Sequence, residues 1–164
     1  MKSKKSIILI VTLIIVTVGV INFIGVGNNK MNKIYNDNSI IADKADCWGI
    51  DESEQTAELG MYKGKLKLSG CGTIWKYESS EEFDLKVPYT LLVKSQKAKI
   101  VLVSPDNTVT TLIENTNKST VNGSTTITVP IKKGINRIKL VGYKKSEIEA
   151  ELHIDKGTFE KINL

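Results

Sequence analysis

His153 is the only histidine in the chain, so a Ser-His-Asp or Cys-His nucleophilic site would have to be built on it. Period-two alternation over residues 148–154 sends Ile148, Ala150, Leu152 and Ile154 inward. His153 is left with Glu149 and Glu151 on the polar side, where a solvated surface residue is expected. No G-x-S-x-G, H-E-x-x-H, phosphate-binding loop or dinucleotide fingerprint occurs. Glu78, Glu81 and Glu82 are close in sequence, but a retaining glycosidase needs two carboxylates about 5–5.5 Å apart in a cleft, and their spacing does not argue for that. The chain is therefore expected to have no catalytic residues and to be no enzyme; a hydrolase is the least favoured reading.

Metal and thiol chemistry are similarly restricted. Asp43, Asp46, Asp51, Glu52 and Glu54 form an acidic stretch. Counted as a calcium loop from Asp43, it places Ala45 at position three, Cys47 at five and Trp48 at six, where oxygens and a glycine are needed. Cys47 and Cys71 with one histidine fall short of a tetrahedral zinc set. No metal and no cofactor is expected. In an oxidising compartment the two cysteines could close one disulfide across 24 residues, worth about 3 kcal/mol in a chain-entropy account. Two unpaired, half-buried thiols are the alternative.

The aromatic residues are the better lead. Trp75 and Tyr77 are two apart on an expected strand and share a face, while Trp48 adjoins Cys47 in the acidic stretch. Trp48, Trp75 and Tyr77 are the expected binding residues, because flat rings flanked by acids and amides suit a sugar ring or a protein partner. The same rings can instead fill the core.

Elements that would position these residues begin with a membrane segment. Lys2, Lys4 and Lys5 precede an uncharged run over residues 7–26, long enough at about 1.5 Å per residue to span a bilayer core of about 30 Å. It predicts an uncleaved signal anchor over 1–27, with a cleaved signal peptide as the alternative. The basic start favours a cytoplasmic N-terminus and an extracytoplasmic C-terminal domain, secreted if the signal is cut. Those three lysines account for three of the chain's +5 formal charges, leaving +2 on the remainder. With Arg137 as the only arginine, that remainder has no nucleic-acid footprint.

Residues 28–62 read as a polar stalk and an irregular acidic segment, with a short helix around 51–59. From Lys63 the period becomes two, giving a β-domain over 63–164. Phe83, Leu85 and Val87 share a face, as do Tyr89, Leu91 and Val93, with Pro88 ending a strand or marking an edge. Residues 100–103 are apolar on both faces and predict a central strand. Residues 104–107 (Ser-Pro-Asp-Asn) and Asn122-Gly123 are turn signals. Eight or nine strands with short connections predict an all-β, antiparallel two-sheet sandwich.

Residues 129–140 read apolar–x–x–Gly–x–Asn–x–Ile–x–Leu around Gly134, Asn136, Ile138 and Leu140. This stretch resembles the penultimate strand of galactose-binding-like jelly-roll domains and carbohydrate-binding modules. The resemblance covers about a dozen residues; it implies a jelly-roll-like sandwich and assigns no ligand residue. The expected function is a membrane-anchored, extracytoplasmic, non-catalytic module for a cell-surface glycan or protein partner. A structural or regulatory subunit of a membrane complex is the alternative.

Overall fold

The computed structural model describes residues 31–118 and 125–162. The expected anchor over 7–26 and the Asn122-Gly123 turn lie outside the described residues. No helix among the described residues is long and apolar enough to cross a membrane.

The domain is all-β and antiparallel, with eight described strands: β1 Cys47–Glu58, β2 Met61–Ser79, β3 Phe83–Val93, β4 Lys97–Val103, β5 Val109–Thr116, β6 Thr125–Ile131, β7 Gly134–His153 and β8 Thr158–Phe159. The arrangement is sandwich-like, but its layers are halves of one continuous sheet rather than two separate sheets. The reason is the length of β2 and β7, which pair along both layers and carry the sheet through a bend. One layer runs β5, β4, the first half of β7 and the second half of β2. The other runs β6, β3, the second half of β7, the first half of β2 and most of β1.

The bend has a local cause. Pairing of β2 with β7 slips between Leu68 and Gly70, opposite an excursion of β7 between Gly142 and Ser146. Lys144 and Lys145 there have φ of 50° and 55°, and Gly70 has φ of 97°. A Cβ at Gly70 would stand 2.2 Å from the Cys47 carbonyl oxygen, so only glycine lets β1 approach the bend. The period-two run that begins at Ile148 is thus the second half of one bent strand. Similarly, Pro88 does not end β3: it faces Thr126 of β6 just before pairing with β7 begins at Tyr89. The missing N–H falls where the strand has a neighbour on one side only.

Alternating residues of both layers meet in one core, including Leu91, Val93, Ile100, Leu102, Ile138, Leu140, Ile148 and Leu152. Strand β4 lies between β5 and β7 and is buried on both faces, as its apolar run predicts. Its outer side has a different cover. Val101, Val103, Val141 and Cys71 pack under Ile34, Tyr35, Ile41 and Ala42. Ile34 and Tyr35 come from a helical turn over 31–34 and the turn residue after it, Ile41 and Ala42 from α1, Asn38–Ala42. The Asp37 side chain caps α1 by accepting from the Ser39 and Ile40 N–H groups at 3.0 and 3.3 Å.

The stretch expected to be irregular around a helix at 51–59 is instead β1. Its burial pattern has little amphipathic signal because it is an edge strand exposed over much of its length. Pairing with β2 determines its conformation.

Candidate functional site

The aromatic residues expected to bind do not form one platform. Trp75 is fully buried, and its indole N–H donates to the Lys156 carbonyl at 2.8 Å. Tyr77 lies on the same side, 5.8 Å from Trp75 between ring centroids, and is half-buried against Phe83 at 6.3 Å. Trp48 is paired with Gly70, seven residues back along β2 from Tyr77. At roughly 3.3 Å per residue that is a separation of about 23 Å. The expectation that Trp75 presents its ring to a ligand is therefore corrected: the turn at 156–157 and β8 close over it. Trp48 and Tyr77 both pack against the core cluster and are partly open to solvent.

His153 is surface-exposed, with Nε2 2.8 Å from Glu151 Oε1, and Lys63 reaches Glu151 at 3.4 Å. Cys47 and Cys71 are free thiols. Among the described residues no three His, Cys, Asp or Glu side chains converge on a point that could hold a metal ion.

Polar chemistry that sequence reading missed gathers on the outer face of β7. Lys139 is completely buried, and Arg137 nearly so. Their side chains alternate outward with Val141 because Ile138 and Leu140 take the core face. Arg137 donates to the Ala42 and Asp43 carbonyls at 2.7 Å each, and Lys139 donates to the Asp43 carbonyl at 2.7 Å. The two cations thereby satisfy carbonyls that the end of α1 leaves without partners. Lys139 also pairs with Asp46 at 3.0 Å, and Asp46 accepts from the Thr73 N–H and hydroxyl at 2.8 Å each. This network seats the segment before β1 on the sheet. The signal available in sequence was the lone arginine and a lysine two apart on an otherwise apolar strand.

The same end of the sheet carries a recess of about 430 Å³ lined by Lys44, Lys76, Ser104, Pro105, Asn107, Ile135 and Arg137. Four separate segments build it: the loop after α1, the end of β2, the β4–β5 turn and the start of β7. The expected turn at 104–107 is present, closed by the Asn107 N–H donating to the Ser104 carbonyl at 2.9 Å. Asn136 holds the neighbouring turn, accepting from the Lys132 N–H at 3.1 Å and donating to the Lys132 and Gly134 carbonyls. Ile135 is left 54% exposed, one of two large apolar side chains exposed to that degree among the described residues, the other being Leu59 at a hairpin tip. Exposed Lys44 and Lys76 flank the recess, and Lys76 pairs with Glu160 at 2.8 Å.

Lys132 and Asp106 tie the two turns together at 2.9 Å. The Lys132 ammonium, aided by the Thr108 N–H, holds the Asp106 carboxyl down at about 2. A depressed folded-state pKa stabilises above the ordinary value of 3.8 and ceases to do so as pH falls through about 2. Asp106→Asn should therefore lower the unfolding midpoint slightly at pH 5, with the gap from the parent closing by pH 2. Paired thermal melts across that range measure it; a pH-independent gap would refute the assignment.

No protein family, curated protein or solved structure matches this chain.

Proposed function

We propose that the chain is a non-catalytic recognition module, held at the outer face of a cell membrane by residues 7–26, that engages a protein partner through the recess around Ile135. The carrying observation is that exposed apolar side chain, set among Lys44, Lys76, Ser104 and Asn107. An apolar anchor ringed by polar and charged groups is the composition of a protein-docking patch. The fitting partner surface offers an apolar side chain beside a carboxylate, which the Lys44 amine would meet, Lys76 being held by Glu160.

A protein is preferred to a glycan because the enclosed Trp75 ring and the distance from Trp48 to Tyr77 leave no flat stacking platform among the three. A jelly-roll relationship remains part of this proposal; it is compatible with the sandwich-like antiparallel sheet and with the strand containing Ile138 and Leu140 entering the core. A photo-crosslinking residue placed at Ile135 in intact cells tests the reading. A protein adduct is expected, reduced at least about tenfold by Lys44→Glu with the thermal midpoint unchanged. An adduct insensitive to Lys44→Glu, or one made of glycan alone, would overturn it.

A further inference from the structure

We propose that Cys47 and Cys71 are the two halves of a reversible cross-strand clamp, open as free thiols and closed as a disulfide that fixes the start of β1, and with it the helical cover, to the sheet. In the β1–β2 ladder Cys47 stands directly opposite Cys71, and the register is unbroken from there to Ile50. Opposed residues of an antiparallel pair point to the same face. Their Cα atoms are about 4.5–5.5 Å apart, within the span of about 4.4–6.8 Å that a disulfide bridges. The pairing that spacing alone left open thus has suitable backbone placement.

The surroundings divide the chemistry between the two thiols. Cys71 is completely buried beneath the helical segment, whereas Cys47 is half-buried, its Sγ 3.9 Å from Met31 Sδ. A small disulfide from solvent can therefore reach Cys47 first. The Cys47 thiolate attacks it, breaking its S–S bond and releasing one thiol, and a mixed disulfide forms. The Cys71 thiolate then displaces the second thiol from Cys47. Two protein thiols lose two hydrogens and the oxidant leaves as two thiols. Burial pushes the Cys71 thiol up, while nearby Lys139 acts in the opposite sense. The link reaches beyond β1 because Asp46, next to Cys47, already holds Lys139 and Thr73. Closing the clamp restrains the loop containing exposed Lys44 between α1 and β1.

The test uses the full chain in mild detergent, reduced and then incubated with oxidised glutathione. Expected are a mass loss of about two hydrogens, a linked peptide pair containing Cys47 and Cys71, and a thermal midpoint several degrees higher than in reductant. Tryptic cleavage after Lys44 should slow at least severalfold on oxidation. Cys71→Ser should instead accumulate glutathione on Cys47, and the double serine variant should lose the response to reductant. Full alkylation of both cysteines after oxidation, or a stable glutathione adduct on parental Cys47, would overturn the clamp. Docking at Ile135 does not depend on it, so either can fail alone.

Discussion

Trp75→Ala is expected to destabilise the domain by about 3–5 kcal/mol, the range for removing a large aromatic from a close-packed interior. The ring is wholly enclosed, and its N–H has its partner at the Lys156 carbonyl. A Cβ at Gly157 would stand 2.7 Å from the indole nitrogen, and that glycine's φ of 77° is one that side chains rarely adopt. The turn is therefore drawn tightly over the ring, leaving little room for the cavity to collapse. Denaturant unfolding of parent and variant measures the loss. A change below about 1 kcal/mol would mean that the ring is not core, and would revive it as a ligand contact.

The second large effect is expected at Asp46→Ala, about 3 kcal/mol. Here the physics is a stranded charge. Lys139 has no solvent exposure, and removal of its carboxylate leaves an ammonium whose remaining hydrogen-bond partner among the described residues is the Asp43 carbonyl. Breaking a buried pair costs about 3–5 kcal/mol. The lower end applies because a quarter of the Asp46 side chain is open to water. Thr73 would also lose the acceptor for its N–H and hydroxyl. Lys139→Met should cost less than half as much, since it removes the charge that needed a partner and keeps an unbranched chain of similar length. If the methionine variant proved the worse of the two, the stranded-charge account would fail. The hydrogen bond from Lys139 to the end of α1 would then matter more than its pairing with Asp46.

Both effects lie where sequence and structure part company. The amino-acid pattern by itself determines the class: alternation through Phe83, Leu85, Val87, Tyr89, Leu91 and Val93 is one uninterrupted inward face. It also determines the central position of β4 and the turn at 104–107. These features are local, set by side-chain period and by residues that bend the backbone without help from distant chain. The helix capped by Asp37 escapes that reading: residues 28–62 read as a polar stalk and irregular segment, and five residues are too few to show a helical period.

What only the tertiary structure decided is which faces are covered, and by what. Period two says that Trp75 shares a face with Tyr77; β8 and the turn before it enclose Trp75 and leave Tyr77 half open. Likewise, outward-facing Arg137 and Lys139 would be solvated if α1 did not lie over them. Strand β1 has too little amphipathic pattern to announce itself, and takes its form from the ladder with β2. That ladder also sets Cys47 opposite Cys71. Each outcome depends on contacts between segments far apart in sequence. Side-chain period reports the direction of a residue from its own strand, but carries no information on what the rest of the chain lays against it.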